Sequence, residues 1–92
     1  MRDLVYTSQF RRDLKRIRKR GANLKLLTKV LDWIRNGEPL PKKLLDHPLT
    51  GDYIGFRECH IQPDWLLIYA IRDTELVVVA TRTGMRSDLL RI

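Results

Sequence analysis

The spacing of hydrophobic positions changes along this chain. In the first third they recur every three to four residues: Phe10, Leu14 and Ile17, then Leu24, Leu27, Val30, Leu31 and Ile34. That period places each set on one face of a helix. In the last third they crowd into short runs rich in β-branched and aromatic residues, as strands do. The spacing predicts a first helix over 9–20, capped by Thr7 or Ser8 and stopped by Gly21 at the C′ position. A second helix is expected from the cap Asn23 to Gly37, with Pro39 and Pro41 enforcing the stop. The few residues between them predict an antiparallel helical hairpin. Ahead of it, residues 3–6 carry Leu4, Val5 and Tyr6, a short strand candidate.

Residues 38–53 read as a loop punctuated by Pro39, Pro41, Pro48 and Gly51. Three strands follow, over 54–61, 65–72 and 75–81. The turns Gln62-Pro63-Asp64 and Arg72-Asp73-Thr74-Glu75 are short enough to make them an antiparallel meander. The last two strands are apolar on both parities, whereas a sheet with one wet face alternates. Both faces should therefore be covered. The helices can cover one, and residues 85–92 or a partner the other.

Ninety-two residues make one small domain, 1–92, with no internal repeat or boundary. A chain of this size buries only about 60% of its unfolded surface, so its core is thin. The net charge of +7 points to a polyanionic partner. Residues 11–20 hold seven cations against the single acid Asp13. Arg11, Arg12, Lys15, Arg18 and Lys19 fall away from the apolar stripe, on faces that could bind RNA or simply be solvated. One cysteine, Cys59, excludes an intramolecular disulfide, and no signal-like start precedes an apolar run, so a cytoplasmic location is expected. The longest apolar stretch, Trp65 to Ile71, is too short to span a membrane. With His47 and His60 as the only histidines, no metal-ligand spacing is present and no cofactor is expected.

His47, His60, Asp64, Trp65, Arg82 and Arg86 are the chemically useful set. A histidine suits acid–base work near neutral pH. An arginine suits a phosphate through its permanently charged fork. A tryptophan can stack on an extruded base. Cleavage of RNA by its own 2′-OH needs such groups: a base, an acid, and cations for the charge on phosphorus. Each residue also has a plainer reading. His47 can serve a turn, His60 a strand edge, Asp64 a turn after Pro63, Trp65 the core and Arg82 the surface. Glu58 shares a face with His60, and can orient it or pair with Arg57 or Arg82.

The motifs Asp46-His47-Pro48-Leu49-x-Gly51, Arg57-x-x-His60-x-x-Pro63-Asp64-Trp65-Leu66-Leu67-Ile68-Tyr69 and Arg82-Thr83-Gly84 follow a strand and two helices. In order and spacing the chain resembles the YafQ branch of the RelE/ParE toxins of bacterial type II toxin–antitoxin systems. The resemblance implies an α+β, RelE-like fold, with an N-terminal strand and an antiparallel helical hairpin packed on a twisted antiparallel sheet. It implies a metal-independent, ribosome-dependent mRNA endonuclease that inhibits translation. It also implies an acidic antitoxin as partner and operator DNA reached through that complex. By position, His47, His60 and Asp64 match acid–base residues, Trp65 an aromatic that shapes the site, and Arg82 a phosphate-stabilising arginine. The pattern departs at Arg86, where the branch has a histidine, and at Leu90, where it has a phenylalanine. An arginine does not readily give up its proton, so Arg86 is expected to hold phosphate while His47 or His60 supplies the leaving-group proton. The rival readings are a ParE-like gyrase inhibitor and a toxin weakened to RNA binding.

Overall fold

The computed structural model describes residues 1–89. Five strands form one sheet in the order β1-β5-β4-β3-β2: β1 (Asp3–Tyr6), β2 (His47–Pro48), β3 (Arg57–Gln62), β4 (Trp65–Arg72) and β5 (Val77–Met85). Helices α1 (Ser8–Lys19) and α2 (Leu24–Arg35) pack on it, and a one-turn helix α3 (Arg86–Leu89) follows β5 directly. β3, β4 and β5 make the expected antiparallel meander, but β1 pairs with β5 in parallel, Asp3 opposite Val77 to Tyr6 opposite Ala80. The sheet is therefore mixed.

The helices begin and end where their caps place them. The Thr7 side chain accepts from the Phe10 amide at 3.0 Å and Asn23 from the Lys25 amide at 3.1 Å. Gly21 and Gly37 sit at φ +83° and +71° just past the helix ends, a conformation that costs glycine little. Their inward faces meet Cys59, Leu67, Tyr69, Val78 and Ala80 of the sheet in one cluster with Phe10, Ile17, Leu27, Val30 and Leu31.

The strands differ from expectation at their ends. β3 starts at Arg57, not Ile54, because Gly51–Tyr53 form a 3-10 turn and Gly55 turns at φ +92°. β5 starts at Val77 because Asp73–Glu75 form another 3-10 turn, closed by Leu76 at φ +54°. It then runs on to Met85, well past Thr81. Inside it lies a bulge: Tyr69 faces Ala80 but Ile68 faces Arg82, leaving Thr81 unmatched. One extra residue inverts the strand's parity. Val78 and Ala80 point to the helices, so unbroken alternation would bury Arg82 among them. The bulge turns Arg82 to the opposite face and gives Thr83 the core position.

On that opposite face Leu66, Ile68 and Ala70 are already buried, at 5% exposure or less. A partner is not needed to cover the centre of the sheet. Leu89 of α3 covers one end, 3.6 Å from where a Cβ on Gly84 would stand. Leu90, with the departure expected there, lies outside the described residues.

Candidate active site

The outer face of the sheet assembles the candidate residues in rows. His47 of β2 faces Glu58 of β3, Glu58 faces Ile68 of β4, and Ile68 faces Arg82 of β5. With strands about 4.8 Å apart, Glu58 and Arg82 are about 10 Å apart at the backbone. His60 occupies the next row on the same face, opposite Leu66.

His60 is oriented by its turn. Its Nδ1 lies 3.2 Å from the Pro63 carbonyl. A carbonyl only accepts, so the neutral ring carries its proton on Nδ1 and offers Nε2 as a lone pair. His47 is held likewise, Nδ1 2.7 Å from the Leu45 carbonyl. Its Nε2 then faces the Glu58 carboxylate at 3.7 Å. Glu58 thus meets His47, not Arg57 or Arg82. Arg57 instead turns to the helix side and grips Asp46, Nη2 to Oδ2 at 2.9 Å, while the Tyr69 hydroxyl donates to the other oxygen. The hydrogen bond to Asp46 raises the Arg57 pKa above the usual arginine value, outweighing its burial. This anchor fixes the residue just before His47.

Arg86 joins the rest. Its backbone amide donates to the Asp64 carbonyl at 2.7 Å, tying the β3–β4 turn to the start of α3. Its side chain lines two clefts. One, of about 430 Å³, also has Lys43, Leu45, His60 and Pro63 on its walls. The other has Asp64, Met85 and Ser87. His60, Asp64 and Arg86 are therefore one cluster around the turn, with His47 farther along the same face.

Arg82 is present but not loose. Its Nε donates to the Asp13 carboxylate at 2.7 Å, and its Nη2 reaches the second Asp13 oxygen at 3.3 Å. The bond to Asp13 raises its pKa above the normal arginine value against the opposing cost of burial, and Tyr53 adds a smaller push in the same direction. The guanidinium has five N–H donors, so some are not turned to Asp13, and the side chain as a whole is 15% exposed.

Trp65 does not fit a base-stacking role. It is 1% exposed, and its indole donates to Thr83 Oγ1 at 2.9 Å. Thr83 in turn donates to the Leu66 carbonyl at 2.8 Å. Both faces of the ring are inside the protein, so the expected contact with substrate is corrected to a core role. By contrast Arg11, Arg12, Lys15, Arg18 and Lys19 all stand exposed on α1.

Charge alone makes Asp13 no more than the single acid of a basic run. Its spacing held the signal: it lies three residues after Phe10 and four before Ile17, on the apolar stripe itself. It is fully buried.

Known proteins resemble the chain over nearly its whole length. A family model described as the bacterial toxin YafQ of type II toxin–antitoxin systems matches residues 2–91. The mRNA interferase toxin YafQ of Escherichia coli K12 is 39% identical over 89 residues, covering 96% of this chain and 95% of that protein. The crystal structure of a metal-bound toxin from Helicobacter pylori superposes with a TM-score of 0.91 at 42% identity, covering 97% of this chain and 99% of that one. YafQ in the crystal structure of the E. coli DinJ–YafQ complex gives a TM-score of 0.85 at 37% identity, covering 97% and 98%. With nearly its whole length matched in sequence and in fold, the chain belongs to the YafQ family of bacterial type II toxin–antitoxin toxins.

Proposed function

We propose that this toxin is an endoribonuclease that cuts mRNA on the ribosome and so halts translation. The observation that carries the reading is the cleft that His60 and Arg86 both line, with His60 Nδ1 turned to the Pro63 carbonyl and its Nε2 left open. The relative's description as an mRNA interferase supports it.

In this mechanism His60 Nε2 takes the proton of the 2′-OH. The 2′-oxygen attacks phosphorus, the bond from phosphorus to the 5′-oxygen breaks, and His47, entering the step as an imidazolium with a second proton on the Nε2 that faces Glu58, gives that proton to the departing 5′-oxygen. The products are a 2′,3′-cyclic phosphate and a 5′-OH. Arg82 and Arg86 balance the charge that builds on the phosphoryl oxygens, and Asp64 aids from the neighbouring cleft. Arg86 acts as a cation where the family pattern has a histidine, which leaves the acid's task to His47. Side chains supply the base, acid and cations, so the reaction is read as metal-independent. Among the described residues no three His, Cys, Asp or Glu side chains cluster as metal ligands. The outward cations of α1 dock on rRNA. An acidic antitoxin holds the toxin silent, as DinJ–YafQ suggests by analogy, and carries it to operator DNA. No described helix is long and apolar enough to cross a membrane, and the cytoplasm, where ribosomes are, is the proposed site of action.

Primer extension on translated mRNA tests this. Purified toxin should create new 5′ ends only when ribosomes are present, and His60→Ala should abolish them while ribosome binding persists. Ribosome binding without new ends would sink the nuclease reading.

A further inference from the structure

We infer that Asp13 is a positioning residue for the reaction: its buried carboxylate sets the Arg82 guanidinium toward the phosphate. The inference rests on the nuclease reading above and adds to it a residue on the far side of the sheet edge.

The geometry comes from where β1 stops. β1 pairs with β5 only as far as Tyr6 opposite Ala80, which leaves the β5 edge unpaired from Thr81 onward. α1 takes over that edge. The Thr7 hydroxyl donates to the Thr81 carbonyl at 2.8 Å, and the Thr83 amide donates to Asp13 Oδ2 at 3.1 Å. The same Oδ2 receives Arg82 Nε at 2.7 Å, and Oδ1 receives Arg16 Nη2 at 3.0 Å. The Arg82-Thr83-Gly84 motif is the strand half of this clamp. Arg82 gives its side chain and Thr83 its amide. Gly84 gives room, because a Cβ there would stand 3.0 Å from Arg16 Nη2.

Closing a strand edge does not require a charge. An asparagine oxygen could accept from the Thr83 amide at far lower desolvation cost than a carboxylate at 0% exposure. What the charge adds is a two-point grip on Arg82, by Nε and Nη2 together. Such a grip fixes the plane of the fork, and with it the direction of the donors left over. An arginine that is free to rotate would still neutralise phosphate on average, yet would stabilise the transition state less, because alignment is lost.

The test uses Asp13→Asn, Arg82→Ala and the double variant in single-turnover cleavage of ribosome-bound mRNA, with ribosome affinity measured separately. Asp13→Asn should slow cleavage by about 30- to 100-fold with affinity within about threefold of the parent. The double variant should be no slower than Arg82→Ala, since Asp13 acts only through Arg82. Asp13→Asn cleaving at the parent rate, or a double variant slowed by the product of the two single effects, would overturn the inference. The Arg82 Nε–H resonance of the unaltered toxin gives a reading independent of activity and of any variant's folding. It should be protected from exchange, and an unprotected signal would also overturn the inference. If the parent toxin cleaves nothing, the nuclease reading fails, while this resonance still reports whether Asp13 holds the fork.

Discussion

Single residues on this fold divide by whether their polar atoms face each other or face water. Trp65 shows the first kind. Its indole N–H is spent on Thr83 and its rings fill the core, so its loss acts through stability. Trp65→Ala should destabilise the fold by about 3–5 kcal/mol. Trp65→Leu, which keeps an apolar side chain but no aromatic ring, should lose stability but retain the parent's cleavage rate below its melting temperature. Comparing denaturant midpoints with cleavage rates checks this, since a tryptophan that stacked on a base would lose rate even in the folded Leu variant. Cys59 makes a second case. Burial, with smaller contributions from Asp46 and Glu58, pushes its thiol from 9.0 up to about 12. Burial and its bond to Asp46 raise the Tyr69 phenol as well. Between pH 9 and 12 the unfolded chain releases the thiol proton and the native chain keeps it, so native stability falls as pH rises. The slope is about 1.4 kcal/mol per pH unit. Urea midpoints should drop from pH 9 to pH 10, and the Cys59→Ala variant should show a flatter drop over that interval.

The elements carry their own predictions. Thr7 caps α1 at the Phe10 amide and its hydroxyl also meets the Thr81 carbonyl, so one side chain joins helix and sheet. Thr7→Ala should cost about 1–2 kcal/mol, readable as a shift in urea midpoint with an unchanged slope. On the outer face of α1, replacing Arg11 and Lys15 by glutamine should weaken ribosome binding and leave the saturated cleavage rate alone. The salt dependence should flatten too, by about 0.7–0.9 in log–log slope for each cation that contacts phosphate; an unchanged slope would take α1 out of the RNA interface. Both helices were legible because their caps, periods and glycine stops are local signals. β4 was legible for the same reason, bounded by two turns. What stayed hidden is long-range. The parallel pairing of β1 with β5 joins residues more than seventy positions apart, and no local pattern encodes it. The bulge at Thr81 decides which face Arg82 takes, yet apolar residues on both parities of β5 erase the alternation that would have revealed it. The site followed suit. His60, Asp64 and Arg86 cluster because of a turn visible in the sequence, whereas Asp13 meets Arg82 only through the fold.

The molecule as a whole combines a thin core with a strong positive charge. At +7 in 92 residues its like charges repel one another, which weakens the compact state. Asp13 and Asp88 offset some of this where Arg82, Arg16 and Arg20 gather, with Arg20 Nη1 2.7 Å from Asp88 Oδ2. Apolar surface also remains open: Ile54 is 77% exposed, Leu76 62% and Leu45 60%. An acidic protein that binds only the native chain would relieve the repulsion and cover such surface together. Its effect on stability follows from mass action, about 2.7 kcal/mol at a free concentration one hundred times its Kd. In a domain of this size each kcal/mol moves the melting temperature by about 4–8 °C. The cognate antitoxin at that concentration should therefore raise the melting temperature by about 10–20 °C, and the rise should shrink as salt screens the charges. Calorimetry at low and high salt separates the two contributions. A rise that survives high salt undiminished would assign the complex to apolar burial, and no rise at either salt would show that the partner does not bind the native toxin.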